Sequence, residues 1–182
     1  MISPMPETAL IRLATPSDAP EIARVNHQTW VETYKGILDD EVIKARSLEE
    51  QVKVWQDQLG APKPSELRFV AEAHGQIVGY VGGGRNADTH SPFQAELFGI
   101  YVVRDFQNKG LGSRLVSALA AALKEKGHGS MLVWIMEKNP YRKFYEKLGG
   151  LLLDQSRDVE YGGKNLRVAC YGWADLGPLI RK

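Results

Sequence analysis

The fold is decided by the stretch Glu96-Leu-Phe-Gly-Ile-Tyr-Val-Val-Arg-Asp-Phe-Gln-Asn-Lys-Gly-Leu-Gly-Ser-Arg-Leu-Val116, which predicts an apolar strand, a short turn and the start of a helix. The turn contains Gln107-Asn-Lys-Gly110-Leu-Gly112, where two glycines one residue apart let the backbone approach a ligand. The free N–H groups and the positive dipole at a helix start attract anions. The stretch therefore predicts a pyrophosphate site, with a tight glycine turn as the plain alternative.

Two other nucleotide-binding motifs do not fit these residues. A dinucleotide fold needs Gly-x-Gly-x-x-Gly with an acidic residue about 20 positions further on. Here the third residue after Gly112 is Leu115, and a helix is predicted beyond it. A P-loop needs Gly-Lys-Ser or Gly-Lys-Thr, whereas Lys109 precedes Gly110 and Ser113 follows Gly112. Both alternatives fail on order or spacing.

The remaining pattern, Gln-x-x-Gly-x-Gly after Ile100-Tyr101-Val102, resembles the pyrophosphate loop of the GNAT superfamily, the acetyl-CoA-dependent N-acetyltransferases. A second block, Asn139-Pro-Tyr-Arg-Lys-Phe-Tyr145-Glu-Lys-Leu-Gly-Gly150, is similar to the second cofactor-contacting segment of that family. In those enzymes its tyrosine faces the thioester sulfur. The segment Trp30-Val-Glu-Thr-Tyr34-Lys-Gly-Ile also resembles family members in which this region helps to form the acceptor side.

The resemblance implies that the co-substrate is acetyl-CoA. It assigns cofactor contacts to Ile100, Tyr101, Val102, Gln107, Asn108, Lys109, Gly110, Leu111, Gly112, Ser113 and Asn139. The loop is expected to bind pyrophosphate mainly through main-chain N–H groups, with Lys109 and Arg114 adding positive charge. Asn139 either contacts the pantetheine arm or caps the helix that starts there.

Acetyl transfer to an amine needs a neutral amine, a partner for the developing oxyanion and a proton for the departing thiolate. The resemblance implies Glu96 as the base, with Glu137 in reserve and a solvated strand end as the plain alternative for Glu96. The backbone N–H of Val102 is the expected oxyanion partner. Tyr145 is the expected acid, because a phenol with a pKa of about 10 stays protonated at neutral pH. Its alternative role is that of a core aromatic residue.

The acceptor cannot be identified from these residues. Trp30, Tyr34, Trp55 and Trp134 are candidates for the acceptor pocket, although aromatic side chains at this density also form cores. A small polyamine, an amino acid or antibiotic, and a protein N-terminus or lysine all remain open. A non-catalytic acetyl-CoA-binding sensor is the contrasting hypothesis, and the presence of Glu96 and Tyr145 argues against it.

Composition sets the broader expectations. With 182 residues and 43% hydrophobic content, we expect one domain over residues 1–182. A net charge of +1 favours neither nucleic acid nor a membrane as partner. No apolar run approaches the about 20 residues of a membrane span, and residues 1–6 lack a signal sequence, so we expect a cytoplasmic protein. The single cysteine, Cys170, and the scattered histidines imply neither a disulfide nor a metal. The sequence leaves open whether the protein forms a homodimer.

The hydrophobic pattern predicts an α/β protein of the α+β type, with a mostly antiparallel sheet flanked by helices. Strands are expected at residues 10–13, 67–73, 77–82, 95–103, 131–136, 151–157 and 165–171. Helices are expected at residues 18–30, 39–46, 48–59, 111–126 and 140–148, with Ser17 as the first cap. Residues 83–93 are expected to form a loop.

Overall fold

The computed structural model describes residues 9–180. Its strands are β1 (Leu10–Leu13), β2 (Glu66–Ala73), β3 (Gln76–Arg85), β4 (Ala95–Val102), β5 (Met131–Met136), β6 (Leu151–Tyr161) and β7 (Lys164–Trp173). Its α-helices are α1 (Ala19–Tyr34), α2 (Asp40–Ala45), α3 (Leu48–Gly60), α4 (Leu111–Glu125) and α5 (Arg142–Lys147). Residues 1–6, for which no signal sequence is expected, lie outside the described part. No helix within residues 9–180 has the length and apolar character that crossing a membrane requires.

The seven strands form one sheet in the order β1-β2-β3-β4-β5-β7-β6. Neighbouring strands are antiparallel except β4 and β5, which are parallel and joined through α4. The predicted fold class, a mostly antiparallel sheet flanked by helices, is confirmed. The parallel pair lies in the middle of the sheet, and the candidate site is built around it.

The two parallel strands pair only briefly. Their register runs from Ala95 opposite Met131 to Leu97 opposite Val133, and beyond this point the strands separate. The register of β4 against β3 also shifts here, because Gly99 faces Gly82 while Leu97 faces Gly83, which leaves one extra residue in β4. A bulge of this kind bends a strand and increases its twist. We call the point of separation the fork.

Helices cover the sheet on both faces. On one face, which we call the α4 face, Leu111, Leu115, Leu119 and Leu123 are at most 5% exposed, as their spacing of four predicts. The opposite α1 face is covered by α1 and α3, where Trp55 packs edge-on against Tyr80 of β3 with ring centroids 5.0 Å apart. Because side chains alternate along a strand, neighbouring residues of β4 point to different faces.

Two predictions near helix starts were wrong. The Thr15 hydroxyl and backbone N–H both donate to the Asp18 carboxylate, at 2.9 and 2.7 Å, so Thr15 and Asp18 organise the start of α1 instead of Ser17. The fifth helix begins at Arg142 and not at Asn139. Asn139 instead accepts the backbone N–H of Tyr141 on its side-chain oxygen at 2.8 Å, which closes a separate turn before the helix.

The loop predicted at residues 83–93 begins later in the structure, because β3 continues to Arg85. Gly83 and Gly84 continue β3 and pair with Leu97 and Glu96 of β4. A Cβ on Gly83 would lie 2.8 Å from the Leu119 side chain, and one on Gly84 would lie 2.3 Å from the Ser65 carbonyl oxygen. The glycines that suggested a loop therefore allow close packing within a strand.

Candidate active site

The fork opens into a cleft of about 790 Å³ that passes through the sheet. Its walls come from α1, from β4 and β5 beyond their last paired residues, from residues 107–113 and from α5. Most of the predicted cofactor residues line it, namely Ile100, Tyr101, Val102, Gln107, Asn108, Gly110, Gly112, Ser113 and Asn139. Lys109 and Leu111 do not, and the Leu111 side chain is buried in the core at 5% exposure.

The glycine loop has the backbone conformation that its sequence suggests. Gly110 is the N-cap of α4 with a φ of 81°, and Asn108 also has a positive φ, of 58°. Such angles favour glycine and, next to it, asparagine. Since Gly110 has no side chain to cap the helix, the N–H groups of residues 111–113 lack intrahelical partners. Gly112 lets the ring of Phe144 approach, because a Cβ there would lie 3.1 Å from it.

The end of β4 presents its edge to the cleft. The backbone N–H of Val103 donates to the carbonyl oxygen of Val78 in β3 over 3.0 Å. Since successive N–H groups of a strand point to opposite sides, the N–H of Val102 points toward β5, which has already separated. The carbonyl of Val102, on this same side, accepts a hydrogen bond from the Gln107 side chain at 2.8 Å. Gln107 thus attaches the loop to the end of the strand.

The positive charges at the cleft differ from those predicted. Arg114 donates to the carbonyl oxygen of Ala9 at 2.8 Å and does not line the cleft. Lys143 and Lys147, exposed on α5, do line it. Sequence reasoning missed both lysines, although their spacing of four residues places them on one side of a helix.

Tyr145, the expected acid, is on the wall of the cleft. It lines the cleft, is 6% exposed, and its ring packs against Phe144 and Tyr171 with centroids 5.3 and 6.1 Å away. Its hydroxyl makes no hydrogen bond within residues 9–180. Burial raises the pKa of Tyr145 well above its usual value, and the neighbouring Tyr101 and Tyr34 raise it further. The phenol therefore keeps its proton at physiological pH and can donate a hydrogen bond into the cleft.

Asn139 links the two sides of the cleft. Its side-chain amide donates to the hydroxyl of Tyr34, at the end of α1, over 3.5 Å. Both residues line the cleft, and Tyr34 is 8% exposed. Burial raises the pKa of Tyr34, while the contact from Asn139 opposes the shift. Asn139 therefore does not cap the helix, because its oxygen closes a turn and its nitrogen donates to Tyr34, while its contact with the pantetheine arm stays a prediction.

Glu96 lies just before the fork, opposite Leu132 of β5. Its neighbour Leu97 packs among the leucines of the α4 face, so Glu96 points to the α1 face. The side chain is half-buried and does not itself line the cleft. Burial raises the pKa of Glu96, and the positive charge of Arg157 partly offsets this.

Glu137, the reserve base, is placed differently. It follows the end of β5 and lies 3.7 Å from the guanidinium of Arg167, with 44% of its side chain exposed. It does not line the cleft. Glu96 lies one residue before the last pair of the parallel strands, beside the fork, whereas the carboxylate of Glu137 is held by Arg167 beyond the end of β5. The geometry therefore favours Glu96.

The four candidate acceptor aromatics divide into two groups. Tyr34 and Trp134 line the cleft, whereas Trp30 and Trp55 are buried packing residues at 4% and 9% exposure. Phe98, the extra residue of the bulge, also lines the cleft and is 45% exposed. Sequence reasoning missed Phe98, because no pattern in an apolar strand marks the position of a bulge.

Other features of the described residues bear on the chemistry. Cys170 is fully buried, as expected for a strand residue, and burial raises its pKa to about 11, so the thiol is not poised as a nucleophile. Within residues 9–180, His, Cys, Asp and Glu side chains do not gather in groups of three or more that could hold a metal.

Comparison with known proteins relates this chain to one family and to individual relatives. Residues 28–150 match the model of the acetyltransferase (GNAT) family. An uncharacterized N-acetyltransferase of Bacillus subtilis is 28% identical over 93% of this chain and 95% of its own length. A probable N-acetyltransferase of Mycobacterium tuberculosis is 30% identical over 78% of this chain and 79% of its own length.

Solved structures show the same fold. The PaiA N-acetyltransferase of Thermoplasma acidophilum, in complex with coenzyme A, superposes with a TM-score of 0.71 at 20% identity, over 88% of this chain and 97% of its own. YncA of Salmonella typhimurium, with its cofactor acetyl-CoA, gives a TM-score of 0.67 at 19% identity, over 92% and 94% of the two chains. Because the family model covers more than half of the sequence, this protein belongs to the GNAT acetyltransferase family.

Proposed function

We propose that this protein binds acetyl-CoA in the cleft and transfers its acetyl group directly to a primary amine. One observation carries the proposal: the fork between β4 and β5 opens beside the bare N-terminus of α4. An extended thioester arm fits between separated strands, and a pyrophosphate fits at a helix start. The coenzyme A and acetyl-CoA complexes of the two structural relatives support this choice of ligand.

Different residues around the cleft bind different parts of acetyl-CoA. The N–H groups of residues 111–113 face a pyrophosphate, and Lys143 and Lys147 add charge from α5. The free edge of β4 offers hydrogen bonds to the amide groups of an extended arm, as an unpaired strand edge offers them to any extended partner. The N–H of Val102 serves as the oxyanion partner, since it points into the fork.

Glu96 acts as the base of the reaction, and Tyr145 acts as a hydrogen-bond donor. An alkyl amine with a pKa of about 10 arrives mostly protonated, and Glu96 removes that proton through water, because its carboxylate lies beside the cleft and not in its lining. The raised pKa of Glu96 makes it a better base than an exposed carboxylate. Tyr145 donates a hydrogen bond to the departing sulfur. Its raised pKa means that it stabilises the thiolate mainly as a donor and holds its own proton strongly.

An amine panel tests the proposal. Spermidine, an aminoglycoside, free amino acids and short peptides with free N-termini are each incubated with acetyl-CoA, and thiol release is followed. One class should stand well above the background hydrolysis, and its N-acetyl product should appear in equal amount by mass spectrometry. If acetyl-CoA binds firmly but no amine is acetylated, the protein is a cofactor-binding sensor and the proposed transfer is wrong.

A further inference from the structure

Arg157 of β6 lies against Trp134, a residue of the cleft wall. Its guanidinium carbon is 4.3 Å from the ring centroid of Trp134, and Trp134 lines the cleft. Arg157 is also the cross-strand neighbour of Val168, a second lining residue. Val168 pairs in turn with Met136, which packs beside Trp30 and Tyr34 on the α1 face. The arginine therefore stands at the rim of the cleft on the side where α1 closes it.

The donors of this arginine are free. Arg157 is exposed, and within residues 9–180 its guanidinium makes neither a hydrogen bond nor an ion pair of 4.0 Å or less. Arg167, on the adjacent strand, behaves differently, because it is shared between Glu137 and Asp158 at 3.7 and 3.6 Å. Stacking on Trp134 orients the guanidinium plane and leaves its N–H groups available. A planar set of free N–H donors matches the two oxygens of a carboxylate.

The carboxylate of Glu96 lies on the same face of the sheet as this guanidinium. Glu96 and Arg157 are close enough for Arg157 to lower the pKa of Glu96, yet they form no ion pair. Trp134 lies on β5, which stands between β4 and β6 in the sheet, two residues beyond Leu132, which faces Glu96 across the parallel pair. The carboxylate of Glu96 and the guanidinium of Arg157 thus belong to strands on either side of β5, with the Trp134 ring under the guanidinium.

We propose that Arg157, oriented by Trp134, is a binding subsite for a carboxylate on the acceptor, so that the preferred acceptor is an amine that also carries an acid. This inference rests on the proposed acetyl transfer. The amine of such a molecule is directed to the side of Glu96 and its carboxylate to Arg157. A polyamine meets a positive charge at the rim and is disfavoured, since like charges repel at short distance.

The subsite is tested with matched ligands that need no turnover. The N-acetyl derivatives of glycine, β-alanine, γ-aminobutyrate and phenylalanine are titrated into CoA-saturated protein by calorimetry, each beside its carboxamide. At least one acid should bind about 10-fold to 100-fold more tightly than its carboxamide, the usual value of a hydrogen bond to a charged group. Arg157→Ala and Arg157→Gln should abolish that preference and leave carboxamide binding unchanged.

A matched control uses Arg85→Ala, because Arg85 is another exposed arginine and pairs with Ala95 at the far end of β4. That variant should keep the preference for the acid. Equal binding of acids and carboxamides, no binding of either, or an equal loss of both in Arg157→Ala would each overturn the subsite. Acetylation of spermidine alone would also overturn it while leaving the proposed transfer intact, whereas absence of acetylation with every amine is the failure of the proposed function.

Discussion

The side-chain amide of Gln107 donates a hydrogen bond to the carbonyl oxygen of Val102 over 2.8 Å. This bond joins the glycine loop to the last residue of β4, at the edge from which β5 has separated. It satisfies the carbonyl that β5 would otherwise pair with, while the N–H of the same residue stays directed into the fork. The two parts of the site, loop and strand edge, are therefore held at a fixed distance by one side chain.

Gln107→Ala should weaken acetyl-CoA binding by about 5-fold, since a typical hydrogen bond contributes about 1 kcal/mol. Gln107→Glu should weaken it further, because a carboxylate repels both the Val102 carbonyl and the phosphates. Binding is measured by calorimetry, with Gln107→Arg as the control that keeps a donor at this position. Wild-type affinity in Gln107→Glu would show that the loop does not depend on this bond.

Reversing the charge of the two lysines on α5 should also weaken the binding of acetyl-CoA. Lys143→Glu and Lys147→Glu should each raise the dissociation constant for acetyl-CoA, and the loss should shrink as salt is added, because exposed charges are screened. Lys126→Glu reverses an exposed lysine just past the far end of α4 and should have no effect. Equal effects of all three substitutions would mean that the lysines of α5 do not contact the phosphates.

The sequence predicts the glycine loop and the leucine stripe of α4 well, because a left-handed Gly110 and a repeat of four residues are local features. It does not predict the bulge at Phe98 or the placement of Arg114. Those depend on how β4 twists against β3 and on where the chain before β1 runs. Such contacts join residues far apart in sequence, and no local pattern encodes them.

The difference between local features and long-range contacts also explains why the sequence does not show which aromatic residues line the cleft. The sequence around Trp30, Tyr34, Trp55 and Trp134 carries no local signal that separates cleft residues from packing residues, and the tertiary packing of their elements decides which of them reach the cleft. The placement of Tyr145 in the cleft could be predicted because its position in the second block matches a family pattern, while its role as the acid stays a prediction. Arg157 had no such signal, since its significance appears only when β6 pairs with β7 and brings it over Trp134.

Glu96→Gln should lower the acetylation rate most where the amine is protonated, and the rate should partly recover as pH rises toward the pKa of the amine. A rate loss that does not vary with pH would exclude Glu96 as the base. The control is the dissociation constant for acetyl-CoA, which should not change, because Glu96 does not line the cleft.

The stability of the same variant should depend on pH in a defined direction. Burial raises the pKa of Glu96 in the folded state, so the folded protein loses stability as pH rises through the range between the unfolded and folded pKa values. Above that range the loss is constant. Glu96→Gln should therefore melt at a higher temperature than wild type at pH 8, and the difference should shrink as pH falls toward about 4. A lower melting temperature at pH 8 would contradict the raised pKa.

Tyr145→Phe should reduce turnover by about 10²-fold to 10³-fold, the loss typical of one donor at a developing negative charge. Stability and cofactor affinity should change little, since the hydroxyl has no hydrogen-bond partner within residues 9–180 and the ring is retained. The rate should not recover at high pH, because the departing thiolate still lacks its donor. Near-normal turnover, in an assay limited by chemistry, would show that Tyr145 only packs.

Thermal unfolding with and without ligand shows directly whether the fork and the glycine loop form an acetyl-CoA site. At 100 times its dissociation constant, acetyl-CoA should add about 2.7 kcal/mol of stability and raise the melting temperature by about 5–10 °C, while NAD and ATP should not. Gly110→Asp should abolish the shift, because it places a negative charge at the phosphates where a Cβ meets nothing within 4 Å. An unchanged melting temperature with acetyl-CoA in large excess, or a full shift in Gly110→Asp, would show that the fork and the glycine loop do not form an acetyl-CoA site.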